Sequence, residues 1–217
     1  MSCSLNELDQ ENFMMKIIHF KAILFTIALA FCSSSQAGDA EVGKQKSITC
    51  AACHGAEGIS PVPSQPHLAG QVPGYIASQL EAYKTGERIN AIMAGMVAAL
   101  SSEDMEDLDA YYSSLKPAIG SISETQVELA SEGEQIYKGG VNDRQIASCT
   151  SCHGTSGKGV PKLFPSVAGQ HAEYLETQLL AFKKGERKGY NNMMHDIAFG
   201  LTEQQIKALA IYMSGLN

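Results

Sequence analysis

Cys50-Ala-Ala-Cys53-His54-Gly55 and Cys149-Thr-Ser-Cys152-His153-Gly154 are one pattern, Cys-x-x-Cys-His-Gly, written twice ninety-nine positions apart. The repetition runs well beyond the motif. Aligned on the two histidines, Pro66 matches Pro165, Ala69-Gly70-Gln71 matches Ala168-Gly169-Gln170, and Tyr75 matches Tyr174. Gln79-Leu80 matches Gln178-Leu179, Lys84 meets Lys183, and Gly86-Glu87-Arg88 meets Gly185-Glu186-Arg187. The second half then gains two residues, after which Leu100-Ser101 matches Leu201-Thr202 and Tyr111 matches Tyr212. Such a chain is a duplication. The join falls around residues 116–123, where Pro117 and Gly120 stand. The expected domains are residues 38–118 and 119–217.

Each half reads as helical. Residues 73–83 carry Pro73 at their start and Gly86 just past their end, the asymmetry helices favour. Ile76, Leu80 and Tyr83 form an apolar stripe, echoed by Leu175, Leu179 and Phe182. Ser101 and Thr202 are placed as N-caps of a terminal helix in each half. Strand signals are nearly absent. A half of this size, with three or four short helices, has a thin core and gains from a large apolar insert.

The residues before 38 read as a targeting segment. Lys16 and Lys21 bracket a short basic region, residues 22–31 are apolar, and Ser35 and Ala37 are small, a secretory signal cut after Ala37. The apolar run is short for a bilayer span, which weighs against the alternative of a retained anchor. Met14 and Met15 are candidate starts. Removing residues 1–37 removes Cys3 and Cys32 and leaves Cys50, Cys53, Cys149 and Cys152, all in the two motifs. The net charge of −7 argues against nucleic acid as a partner.

Cys-x-x-Cys-His is the attachment signature of c-type haem. Two thiols on one helical turn add to two vinyl groups of one porphyrin, and the next residue aims its imidazole at the iron. Three readings compete. A redox dithiol suits a strand–helix context that is missing here. Zinc needs four ligands, which two Cys-x-x-Cys pairs supply. Disulfides within adjacent pairs are sterically poor. A matched pair of motifs in duplicated helical domains behind an export signal favours haem.

Each iron then takes a ligand on its other face, Met, His or none. Met93 stands seven before Leu100 and Met194 seven before Leu201, so they share a register, expected in a loop ahead of the terminal helix. Met96 and Met193 are their neighbouring competitors, opposite Ile197 and Ile92. His195 has only Ala94 as counterpart, and His67 and His171 face Ser166 and Val72. All three histidines read as ordinary polar residues. The carbonyls of Pro66 and Pro165 are expected to hold the remaining ring nitrogens of His54 and His153. Lys84–Arg88 and Lys183–Arg187 read as solvated helix ends, with Arg88 or Arg187 facing a haem propionate as the alternative.

On these motifs, the Pro-x-x-Ala-Gly-Gln stretches and Met-Ala-Gly-Met followed by Leu-Ser, residues 38–217 resemble the dihaem cytochrome c4 family of class I cytochromes c. The resemblance implies an all-α fold of two tandem cytochrome c domains related by an approximate twofold axis. It implies two covalently bound, low-spin His/Met haems whose propionate edges approach each other. It also implies a monomeric periplasmic carrier, at times loosely membrane-associated, passing electrons from a quinol-oxidising cytochrome bc complex to haem-copper terminal oxidases. A cytochrome subunit of a flavocytochrome dehydrogenase is one alternative. A dihaem peroxidase is another, and it requires one iron without a fixed second protein ligand.

Overall fold

The computed structural model describes residues 38–217. The expected leader over residues 1–37 lies outside them. Ten α-helices and no β-strand are found among the described residues. The first half holds α1 (Ala40–Lys46), α2 (Ala51–His54), α3 (Tyr75–Thr85), α4 (Ala91–Val97) and α5 (Ser102–Ser114). The second repeats the order as α6 (Val127–Gly139), α7 (Thr150–His153), α8 (Ala172–Lys183), α9 (Met193–Phe199) and α10 (Glu203–Ser214).

Local chemistry sets these boundaries. Ser101 and Thr202 each form a reciprocal capping box, with Asp104 and Gln205 returning the hydrogen bond. α3 begins two residues later than Pro73 suggests. Its start is set from a distance: the buried Asp109 carboxylate accepts from the backbone N–H groups of Gly74 (2.7 Å), Ile76 (2.8 Å) and Ala77 (3.3 Å). A carboxylate there satisfies the orphan donors of the first turn and suits its positive end.

In each half the first helix crosses the last, α1 over α5 and α6 over α10. Glycine permits both crossings. A Cβ on Gly43 would lie 1.9 Å from the Asp107 carbonyl oxygen, and one on Gly133 would lie 2.1 Å from that of Ala208. Lys46 fastens the first crossing through Asp104 (2.5 Å) and Asp107 (2.7 Å).

The cores differ in depth. The second half buries Ile136, Tyr137, Ile146, Leu175, Leu179, Leu201, Ile206 and Leu209 together. The first gathers only Ile76, Leu108, Tyr111 and Tyr112 as fully buried members. Part of the difference comes from the extra residues before Cys149. Val141 pairs with Ile146 across a short 3-10 turn, driving Ile146 into the core against Gly200.

The halves meet through repeated polar residues. Gln170 brackets the backbone of His67, accepting from its N–H (2.9 Å) and donating to its carbonyl (3.0 Å). Gln71 does the same to Ser166, at 2.7 and 3.1 Å. His67 and Ser166 occupy one register, so each Gln of the Ala-Gly-Gln stretch clamps the equivalent strip of the opposite half. The preceding Gly70 and Gly169, both at positive φ, let the chain pass against Pro117 and Ala118 of the connecting segment.

Candidate functional site

A cavity of about 740 Å³ lies between the halves, lined from both. The motif helices α2 and α7 are single turns, each closed by a glycine at positive φ, Gly55 and Gly154. They turn His54 and His153 inward, at 6% and 8% exposure. The His54 Nδ1 lies 2.9 Å from the Pro66 carbonyl oxygen, and the His153 Nδ1 lies 2.8 Å from that of Pro165. A carbonyl only accepts, so Nδ1 carries the proton and Nε2 keeps its lone pair. Burial lowers both imidazole pKa values, and the carbonyl contact offsets this only in part. Both rings are therefore neutral at pH 7, oriented, and able to bind a metal.

Cys50, Cys149 and Cys152 line the same cavity, whereas Cys53 is exposed and stands outside the lining. All four are free thiols, so neither adjacent pair forms a disulfide. Burial pushes the Cys149 thiol up to about 11, opposite to the depressed pKa a redox-active dithiol needs. No group of three or more His, Cys, Asp or Glu side chains is gathered among the described residues, so the zinc arrangement is not formed.

Met93 and Met194 line the cavity as well, as does Met193. Met96 is exposed and outside the lining. Both register-matched methionines lie in the short helices α4 and α9, not in the loop expected from the sequence. The reason is capping and turn chemistry. Asn90 accepts from the Met93 N–H at 3.0 Å and starts α4 there. In the second half Asn191 and Asn192 precede α9 and are both left-handed (φ 50° and 58°), a conformation Asn tolerates better than most side chains. His195 is occupied elsewhere, with Nδ1 2.7 Å from the Phe182 carbonyl oxygen.

The expectation of solvated helix ends fails at Arg88 and Arg187. They are 8% and 7% exposed, and each reaches into the opposite half. Arg88 donates to the Tyr174 hydroxyl and to Gln178, both at 2.8 Å. Arg187 donates to the Tyr75 hydroxyl (2.9 Å) and to Gln79 (2.8 Å). Each guanidinium also lies over an aromatic ring of its own half, Tyr83 at 4.6 Å or Phe182 at 4.5 Å. The lysines behave as expected of helix ends. Lys84 is exposed and donates to the Leu100 carbonyl, and Lys183 donates to those of Phe199 and Leu201.

Tyr75, Gln79, Gln71 and their counterparts recur in both halves, and none of them is among the residues expected to form the site. The signal was present: polar side chains kept in register by a duplicated chain mark a surface the copies share. His67 and His171 stack across the same boundary, with ring centroids 3.9 Å apart.

Matched motif histidines, matched methionines and a shared cavity are the layout of a two-haem cytochrome. The family described as Cytochrome c matches residues 40–116 and 130–217. Cytochrome c4 of Pseudomonas aeruginosa is 37% identical over 90% of this chain and 97% of its own length. The chain belongs to the cytochrome c4 family. The crystal structure of reduced recombinant cytochrome c4 from Pseudomonas stutzeri superposes with a TM-score of 0.79 at 40% identity. It covers 83% of this chain and all of that one. The thiosulfate dehydrogenase electron acceptor of Thiomonas intermedia is 37% identical, over 78% of this chain and 79% of that protein.

As a cytochrome c4 the chain is an electron-transfer protein carrying two covalently bound c-type haems. Its residues fit such groups. The cavity offers two neutral imidazoles, thiols beside them and methionines. It also offers a buried donor with no acceptor among the described residues, Arg187 Nε.

Proposed function

We propose that Cys50 with Cys53, and Cys149 with Cys152, form the thioether links. His54 and His153 would each supply one ligand to an iron, and Met93 and Met194 would supply the second. Pro66 and Pro165 fix the two imidazoles. The haem irons supply a one-electron couple, whose potential a thioether ligand raises. The protein's part is to hold two ligands per iron so that coordination does not change with oxidation state. α2 and α7 fix the histidines through backbone carbonyls. α4 and α9 carry the methionines on capped or tightly turned starts. The apolar faces of α3 and α8, through Ile76, Leu175 and Leu179, keep water from the site. The observation that carries this reading is the matched pair of buried, neutral histidines facing a cavity shared with register-matched methionines.

The chain is exported by its leader to the periplasm and acts there as a monomeric carrier, with the domain boundary at residues 118–119. It takes electrons from a quinol-oxidising cytochrome bc complex and delivers them to a haem-copper terminal oxidase, with peripheral membrane association bringing it close to both. Charge supports different partners at the two ends. Residues 38–120 hold five basic and ten acidic residues, and residues 121–217 hold nine and ten. A net −5 against −1 orients the molecule toward a basic partner at the first half. A second reading makes a sulfur-oxidising dehydrogenase the donor, favoured by the likeness to a thiosulfate dehydrogenase electron acceptor. The peroxidase alternative requires an iron open to solvent, and a methionine lines the cavity in each half.

Mass spectrometry of the exported chain is expected to show the polypeptide plus two porphyrins. Near-infrared absorption is expected to show thioether ligation at both irons. A bare polypeptide from cells competent in cytochrome maturation rejects the assignment. For the partners, electron-transfer rates to a basic acceptor are expected to fall steeply with ionic strength. A rate independent of salt removes the orientation argument.

A further inference from the structure

His67 and His171 come from opposite halves, and their rings stack with planes tilted by 40°. Both hang on one peptide, that of Ser60, a residue only 3% exposed. The Ser60 N–H donates to His67 Nδ1 at 2.9 Å, so that nitrogen carries a lone pair and no proton. His171 Nε2 donates to the Ser60 carbonyl at 3.0 Å. The Ser60 hydroxyl donates to the Cys53 carbonyl at 2.8 Å, which holds the peptide in place. Gln170, next to His171, brackets the His67 backbone. The repeat-related positions are Gly159, Ser166 and Val72, none of which titrates. One edge of the boundary therefore holds two titratable rings, and the edge related to it by the duplication holds none.

A further proton on His67 has no place in this arrangement. The neutral ring carries its proton on Nε2, so a second one goes to Nδ1 and meets the Ser60 N–H, donor against donor. Among the described residues no carboxylate lies within 4 Å of either ring to hold the charge. Glu57 and Glu173, the charged residues nearest in sequence to Ser60 and His171, are exposed, as is Lys162 of the loop that reaches Pro73. His54, on the far side of Pro66, is neutral. Burial, and then His171 beside it, lower the His67 imidazole from 6.5 to about 4. Parting the halves gives the ring back to water and to its ordinary value. Docking is thus indifferent to pH above 6.5, weakens as pH falls from there to about 4, and loses nothing more below.

We propose that His67 and His171 form an acid-released catch between the two halves: charging His67 frees the second half from the first while each half stays folded. Neither ring belongs to the apolar cluster of its own half, so losing the contact leaves both cores intact. At the other edge Gln71 holds Ser166 through bonds that no proton alters, so release starts at the histidines. Where the haem assignment proposed above holds, the catch also sets how closely the two redox sites stand, and acid then slows the passage of electrons from one half to the other.

The test is amide hydrogen exchange of the mature protein between pH 7 and pH 4, taken as protection relative to an unstructured chain so that intrinsic exchange cancels. Protection of the His67 and Ser166 amides, which Gln170 and Gln71 hold across the boundary, is expected to fall by up to about tenfold per pH unit below 6.5. Amides inside α5 and α10 are expected to keep theirs. His67→Gln still accepts from Ser60 but takes up no proton, and its boundary protection is expected to stay flat. His171→Gln removes the neighbouring ring and is expected to move the fall toward lower protection loss at each pH. If His67→Gln fails to mature, magnetic resonance titration of the wild-type His67 ring decides alone: a midpoint near 4 supports the catch, and one at 6.5 overturns it. Flat boundary protection in the wild type, or an equal fall in His67→Gln, also overturns it. Haem content read by mass tests the haem assignment separately, and a chain without haem removes the consequence for electron passage but not the catch.

Discussion

Met194→Leu is expected to lower the potential of one haem by on the order of 0.2 V and leave the other nearly unchanged, within the ~0.8 V that axial ligands span. Leucine keeps most of the volume and apolar character of methionine, so the packing cost stays below about 1.5 kcal/mol. Met194 packs on the core of the second half, and a truncation to alanine would mix cavity formation with ligand loss. The thioether stabilises the reduced iron, and leucine supplies no ligand atom in its place. The near-infrared absorption is expected to fall by half. Met193→Leu is the control, because Met193 lines the same cavity from the neighbouring position. Met193→Leu is expected to leave both potentials close to wild type. If Met193→Leu produces the fall and Met194→Leu does not, the register of the second half is misread. Met93→Leu is expected to act in the same way on the first half, where Met96 is exposed and no second methionine lines the cavity.

The part of this architecture legible in the sequence is the part written by local chemistry and by repetition. The motif turns, the capping boxes at Ser101 and Thr202, the apolar stripes and the Pro66 and Pro165 contacts all follow from residues close in sequence or duplicated in register. What the sequence concealed depends on distant partners. The start of α3 is set by Asp109, more than thirty residues away. Asn90 and the left-handed pair Asn191–Asn192 make helices of segments expected to be loops, because one side-chain cap or two unusual backbone angles suffice to start a single turn. Arg88 and Arg187 look solvent-exposed in sequence because charged residues beyond a helix end usually are. Only the docking of the two halves against each other buries them. The interface is the least legible feature for the same reason, although its residues recur in both copies.

Gly133→Ala is expected to destabilise the second half by about 3 kcal/mol or more, a large share of the 5–15 kcal/mol that holds a typical domain together. On an exposed helix the same change would stabilise, since glycine is the poorer helix former by about 1 kcal/mol. Contact reverses the sign. The new methyl would meet the Ala208 carbonyl oxygen at 2.1 Å and its carbon at 2.5 Å, and backbone atoms cannot rotate away. α6 must lift from α10, which loosens Tyr137 and Ile136 against Ile206 and Leu209. Gly139→Ala, in the last position of the same helix with nothing within 4 Å, is the control and is expected to be neutral. Denaturation followed by far-ultraviolet circular dichroism measures both, and a Gly133→Ala protein within 1 kcal/mol of wild type would refute the close crossing. The damage reaches the redox site through one bond: the Tyr137 hydroxyl donates to the Gly154 carbonyl at 2.7 Å, directly after His153. Thioether ligation in the second half is therefore expected to fail on warming before that in the first, although the second half has the larger core. The crossing, more than the amount of buried surface, keeps its histidine in place.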